Sequence, residues 1–277
     1  MKVTVLVDNN TLIDQYYIGE PGIAFFLECD GKKYLFDTGF SDVFLQNACK
    51  MNINLLSLDA VVLSHGHNDH TWGLSELLKL YSGNSHIGDV SSKPLILAHP
   101  DVFLPRFCNG ADIGSLITVE RLKQLFTLEL SKEPVWLTDK LVFLGEIVRN
   151  NNFEALSPLG EIRRSDIWED DFIYDDSALA YKSDKGLVII TGCSHAGICN
   201  IIEQARRICK EDRVYDIIGG FHLLNPLPDR LNKTVDYFRE LKPKAVHSCH
   251  CTDLQSKISL AQVTNVEEVG VGLVLEY

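Results

Sequence analysis

The 277-residue sequence predicts a layered α/β fold, two β layers with helices on their outer faces. Three observations carry that expectation. Short apolar, strand-like runs open the chain, a less regular segment interrupts it, and strands alternating with helices close it. Two β layers with helices outside accommodate this order. A chain this long with 45% hydrophobic residues can bury a large core as a single domain spanning residues 1–277.

Taken in order, residues 1–8 read as a first strand, too brief an apolar run for a signal peptide. Residues 22–29 and 34–37 are strands around Asp30-Gly31, a hairpin signal, and the second ends in the turn Asp37-Thr38-Gly39. Residues 42–51 form a helix. The apolar run 58–63, interrupted only by Asp59, reads as a strand buried on both faces. It empties into Ser64-His65-Gly66-His67-Asn68-Asp69-His70, and a helix follows at about 74–81. His86 falls in a Gly/Ser/Asn loop.

Residues 100–174 read as an inserted segment with some structure, a source of substrate specificity without a catalytic motif. Residues 95–98 precede it as a strand, and within it 119–126 are helical and 141–144 extended. Regularity returns with the hairpin 178–182 and 187–191, then Gly192-Cys193-Ser194-His195-Ala196-Gly197 and a helix to about 209. A strand at 214–218 ends in Gly219-Gly220-Phe221-His222. Helix 230–241 leads to a strand from 245 that ends in His247-Ser248-Cys249-His250-Cys251-Thr252, and residues 268–276 close the chain as a strand.

Composition narrows the function. The net charge is −12, with acidic and basic residues scattered, so the chain repels polyphosphate and nucleic acid is not an expected partner. No run approaches the ~18 apolar residues of a membrane span. The eight cysteines read as reduced, mostly buried thiols of a cytoplasmic protein that acts on a small molecule. Oligomeric state has no residue-level signal.

The chemistry concentrates at strand ends. His65, His67, Asp69 and His70 fall within six residues, and imidazole with carboxylate suits zinc, iron or manganese. Four such donors can contribute to two metal ions: His65 and His67 on one face of extended chain, Asp69 and His70 for a neighbour. Each ion needs further ligands, and His195 and His250 are placed to supply them. His222 is a candidate ligand or substrate contact. Cys193 is a soft donor at a helix N-terminus. Asp176 is either a metal-bridging carboxylate or a residue that leads into its strand. Asp37 either orients a metal-bound histidine or caps its own turn. Extended alternation would put His247, Cys249 and Cys251 on one face and His250 on the other, so His250 is expected to act alone. His99 reads as structural. A nucleophile elbow at Cys193-Ser194 fails, because neither residue has glycine two positions later.

The pattern His65-x-His67-x-Asp69-His70 after an apolar strand, with Asp37-Thr38-Gly39 before it, resembles the metallo-β-lactamase superfamily. The segments at 192–197, 219–222 and 249–252 are similar to a narrower branch, the dihydropteroate-synthase-like, 7,8-dihydropterin-6-methyl-transferase type. That resemblance implies an αββα sandwich with two transition-metal ions at one edge between the sheets. His65 and His67 would hold the first and Asp69 and His70 the second, with His195 and His250 at later superfamily positions. Where the superfamily has a bridging aspartate, this chain reads Gly192-Cys193, and Asp253 stands where the branch has glycine.

The resulting expectation is a metal-dependent enzyme. In one form it is a hydrolase using a metal-activated water that Asp69 orients. In the other it is a transferase joining a dihydropterin-methyl diphosphate to an aminobenzoate-type amine. A nuclease or phosphodiesterase of the same fold, or a non-catalytic metal-binding protein, are the alternatives.

Overall fold

The structure is a computed structural model that describes residues 1–85 and 93–277; the loop reading at His86 lies outside the described residues. The chain opens with strands Lys2–Val7 (β1), Ala24–Cys29 (β2) and Lys32–Phe36 (β3), helix Val43–Lys50 (α1) and strand Ala60–Val62 (β4). One short turn of helix, Asn68–Thr71 (α2), carries the histidine cluster into helix Leu74–Ser85 (α3). Strands Leu95–Ala98 (β5), Arg106–Cys108 (β6) and Ala111–Asp112 (β7) lead to the short helix Val119–Leu122 (α4). Then come strands Thr127–Leu130 (β8), Val135–Trp136 (β9), Leu141–Phe143 (β10), Glu161–Arg164 (β11) and Ile167–Asp170 (β12). The closing half contains hairpin Ala178–Ser183 (β13) and Gly186–Thr191 (β14), helix Ile198–Cys209 (α5), strand Val214–Gly220 (β15) and helix Pro228–Leu241 (α6). Strand Ala245–Cys249 (β16), helix Leu254–Ala261 (α7) and strand Val274–Glu276 (β17) complete it.

Two sheets make the sandwich. The first runs β17-β1-β2-β3-β4-β5-β8 and the second β16-β15-β14-β13-β10-β9. Alternation along the strands decides which side chain enters which layer. On β4, Ala60 and Val62 pack between the sheets with Phe25, Phe36, Val188 and Ile190. Val61, on the opposite face, packs under α1 and α3 with Phe44, Leu74 and Leu77. On β14, Leu187 and Ile189 pack under α5 and α6 with Ile201, Ile202 and Phe238. Each sheet is therefore apolar on both faces, which explains the apolar run of 60–63 and produces four layers, αββα. Fully burying one such Val, Leu or Ile stabilises the fold by about 1.5–3 kcal/mol.

The segment 100–174 is divided among three sheets. β8 extends the first sheet parallel to β5, and β9 and β10 extend the second. β6, β7, β11 and β12 form a separate four-stranded sheet.

Several element readings need correction. The helix expected over 119–126 ends at Leu122, because the chain must turn to lay β8 alongside β5. The closing strand is confined to Val274–Glu276; Gly272, at φ 98°, breaks the extended run before it. Helix α7 was not expected. It is capped by Asp253, whose side chain accepts the Ser256 N–H at 2.7 Å, and such a cap is worth about 1 kcal/mol. That cap gives a reason for aspartate at 253.

Candidate metal centre

The site forms where strand ends of both sheets meet. Asp37 follows β3, Ser194 follows β14, His222 follows β15 and His250 follows β16, and all four have positive φ, 57°, 59°, 49° and 49°. Non-glycine residues in this region cost of order 1–3 kcal/mol each and cluster where function needs them. At Asp37 and His250 the left-handed turn folds the side chain back against His70 and Asp69 rather than letting it continue outward. Gly192 permits the two sheets to approach: a Cβ there would lie 2.1 Å from Ser64 Oγ.

A first donor set is made by His65, His67 and His195, whose ligand atoms lie within 4.8 Å of one another. All three side chains are buried, and the Nε2 atom of each has no hydrogen-bond partner. Buried polar atoms left without partners carry a desolvation cost, and three of them converging is the arrangement a cation would satisfy. Burial is the main cause that pushes all three imidazoles below their ordinary range, His67 to about 3, with the Arg106 charge next for His67. They are neutral near pH 7, the state that binds a metal.

A second set is made by Asp69, His70 and His250. His70 Nδ1 lies 2.7 Å from Asp37 Oδ2, which also accepts the Ser64 hydroxyl at 2.6 Å. His250 is held from behind: its N–H donates to Asp8 Oδ1 at 2.9 Å and its Nδ1 lies 2.8 Å from Asn9 Oδ1. Its Nε2 faces Asp69 Oδ2 at 3.2 Å. Burial alone would lower the His70 pKa, but Asp69 and Asp37 outweigh it and raise it to about 9. Burial would raise Asp69, and His70 and His250 instead hold it well below the carboxylate range. This anionic pocket demands a positive charge at His70 Nε2, which a proton or a metal ion can supply.

Cys193 stands at the junction. Its Sγ lies 3.2 Å from His70 Nε2, and it groups both with His65 and His70 and with His250 and Cys251. The expectation that His250 acts alone is overturned. The positive φ at His250 breaks the extended alternation, so His250 and Cys251 turn toward the same sulfur. Asp176 is placed elsewhere: its Oδ2 accepts the Ala196 N–H at 2.8 Å under the turn that presents His195. Among the described residues it joins none of the donor groups, and burial raises its carboxyl to about 7. Ser194 is tied down by Thr191 and the Gly220 carbonyl, which leaves it no role as nucleophile. His222 packs against His195 with ring centroids 4.3 Å apart and planes inclined at 51°, and its Nδ1 is buried without a partner. His99 Nδ1 accepts the Asp101 N–H, a structural cap.

Three supporting residues escaped the sequence reading. Ser64 braces Asp37 and touches His65 Nδ1 at 2.9 Å. Arg106, fully buried, lies 2.7 Å from both Asp171 and Asp175. Asp175 in turn accepts the Gly66 N–H at 2.8 Å, fixing the backbone between His65 and His67. Only Ser64, adjacent to the motif, offered a signal.

The two-sheet αββα sandwich with candidate metal-donor sets gathered at its strand ends is the fold of the metallo-β-lactamase proteins. The sequence profile of the metallo-β-lactamase superfamily matches residues 18–120. Over 272 residues the chain is 28% identical to the 7,8-dihydropterin-6-methyl-4-(β-D-ribofuranosyl)-aminobenzene-5′-phosphate synthase of Methanocaldococcus jannaschii, covering 93% of this chain and 89% of that one. It is also 28% identical to an uncharacterized protein of the same archaeon, covering 99% of both. Among solved structures, a metal-dependent hydrolase of the β-lactamase superfamily superposes with a TM-score of 0.83 at 29% identity, covering 100% of this chain and 99% of that chain. Among the described residues no helix is long and apolar enough to cross a membrane.

Proposed function

We propose that the protein is a metal-dependent transferase that joins a dihydropterin-methyl diphosphate to an aromatic amine, both small molecules. The observation that carries the reading is the pair of donor sets, His65/His67/His195 and Asp69/His70/His250, meeting at Cys193. The likeness to a synthase named for a dihydropterin-methyl-aminobenzene product supports the substrate class. Two transition-metal ions, zinc or else iron or manganese, would supply Lewis-acid charge for the leaving diphosphate. In the transfer, the amine nitrogen forms a bond to the methylene carbon, the carbon–oxygen bond to diphosphate breaks with its electron pair, and the new ammonium loses a proton.

The chain's own residues prepare that step. Asp37 and Ser64 lock the His70 and His65 rings, and Asp175 locks Gly66 between the two metal-facing histidines. Such supports typically change metal affinity 10- to 100-fold, by rough precedent.

A hydrolase is the second reading, favoured by the likeness to the metal-dependent hydrolase. The same donors would then serve attack by water, with Asp69 orienting it. One incubation separates the two: metal-loaded protein with a dihydropterin-methyl diphosphate and 4-aminobenzoate, products resolved by mass spectrometry. A coupled pterin–aminobenzoate supports the transferase. The hydroxymethyl pterin alone, formed with amine present, moves the assignment to hydrolase, and no conversion of either kind refutes both.

A further inference from the structure

A cavity of about 300 Å³ opens beside the first donor set, with His195 and His222 in its wall. Three polar atoms around it are buried and have no partner: His195 Nε2, His222 Nδ1 and Arg230 Nε. His195 Nε2 belongs to the first donor set, whereas His222 and Arg230 are members of none of the donor groups among the described residues. Arg230 forms no ion pair among the described residues, in a chain whose net charge is −12. A guanidinium carries five donors and holds its charge at every ordinary pH. Arg230 is only partly buried, but its Nε is buried without an acceptor at the wall of a pocket lined by no carboxylate, so a donor there is free to take an anionic group.

The remaining wall is apolar. Phe153 and Phe172 line the cavity, and Leu224 and Leu227 form its rim with 55% and 77% of their surface exposed. Small-molecule sites combine such apolar surface with a few convergent polar groups, and the volume lies at the lower end of their usual range.

We propose that this cavity binds the acceptor substrate as an aryl anion. Its ring rests on the Phe153, Phe172 and leucine surface, and its carboxylate or phosphate is gripped by Arg230 with His222. The assignment rests on reading the adjoining donor sets as the reaction centre. Arg230 would be a specificity-determining residue, selecting acceptors with a negative group at the far end of the ring.

Calorimetric titration of the metal-loaded full-length chain tests this with benzoate, phenyl phosphate and neutral benzyl alcohol. At least one anion should bind the wild type, benzoate identifying a carboxylate pocket and phenyl phosphate a phosphate pocket. Arg230→Gln should weaken that anion by about tenfold or more, Arg230→Lys should recover part of the loss, and benzyl alcohol should be indifferent to both. Metal content should be unchanged in each variant, which excludes misfolding as the cause. Undiminished anion binding in Arg230→Gln, equal loss of the neutral probe, or no anion binding to the wild type would overturn the proposal. Normal coupling turnover with Arg230-independent anion binding removes the pocket assignment alone. Arg230-dependent binding without any coupled product removes the transferase reading alone.

Discussion

Cys193 Sγ lies 3.2 Å from His70 Nε2, on the side of the ring opposite the Nδ1 that Asp37 holds at 2.7 Å. A thiol thus occupies the junction between the two donor sets, where a carboxylate is the superfamily's usual bridge. Thiolate is a softer and more covalent ligand than carboxylate, which makes its participation directly visible.

The first prediction follows from that contact. Cobalt(II)-substituted protein should show sulfur-to-metal charge-transfer absorption in the near ultraviolet. Cys193→Ser should abolish it, whereas Cys193→Asp should keep the metal count and lose only the band. Cys251→Ser should retain most of it, because Cys193 also groups with His65 and His70, whereas Cys251 joins only the group that contains Cys193 and His250. A band that survives in Cys193→Ser would remove Cys193 from the coordination sphere.

Asp37 acts through His70 and Ser64. Replacing it with alanine frees the His70 ring and leaves the Ser64 hydroxyl and N–H without their acceptor. Chelator competition should show metal affinity at the Asp69/His70/His250 set falling by about 10- to 100-fold, with the His65/His67/His195 set still loaded. The stoichiometry of metal retained after a mild chelator wash reads this out, and equal loss from both sets would contradict it.

The positions that were legible in the sequence, and those that were not, differ for physical reasons. His65, His67, Asp69 and His70 were readable because their spacing is itself the geometry: all four ride on one strand end and one helical turn. Asp37 was readable because a strand ending in a turn beside that cluster can point one carboxylate inward. The alignment of His250 with Cys251 was not, because it depends on a left-handed backbone residue that no side-chain pattern announces. β8 was missed because Thr127, Leu128, Glu129 and Leu130 extend the edge of the sheet, exposed or only partly buried, and lack a continuous apolar run. Arg106 opens β6, a three-residue strand too short to leave a period in the sequence, where nothing local distinguishes a buried arginine from a solvated one.

Arg106 carries its own prediction. Its guanidinium neutralises Asp171 and Asp175 in full burial, and removing one member of a buried ionic network costs about 3–5 kcal/mol. Arg106→Leu should therefore lower the urea midpoint strongly. Because Asp175 also fixes Gly66, the variant should lose metal at His65 and His67 under conditions where it is still folded. Arg106→Leu with wild-type stability would mean that the two carboxylates are protonated rather than paired.

The buried histidines set a pH dependence in the metal-free chain. Burial, and then the charge of Arg106, lowers His67 from 6.5 to about 3. Below pH 6.5 the unfolded chain takes up a proton at this position that the folded chain refuses. Stability is therefore lost as the pH falls from about 6.5 toward 3, by up to about 1.4 kcal/mol per pH unit, and is unaffected above that window. Gln at position 67 keeps the shape but cannot titrate. After chelation, the unfolding free energy of His67→Gln relative to wild type should rise by about 1 kcal/mol between pH 7.5 and 5.5. His65 and His195 are present in both chains, and burial, the largest cause for each, keeps both well below 6.5, so their losses over this interval are common to the two. Parallel stability curves across this interval would show that the folded chain already protonates His67, and that the first donor set is not held in its metal-ready form.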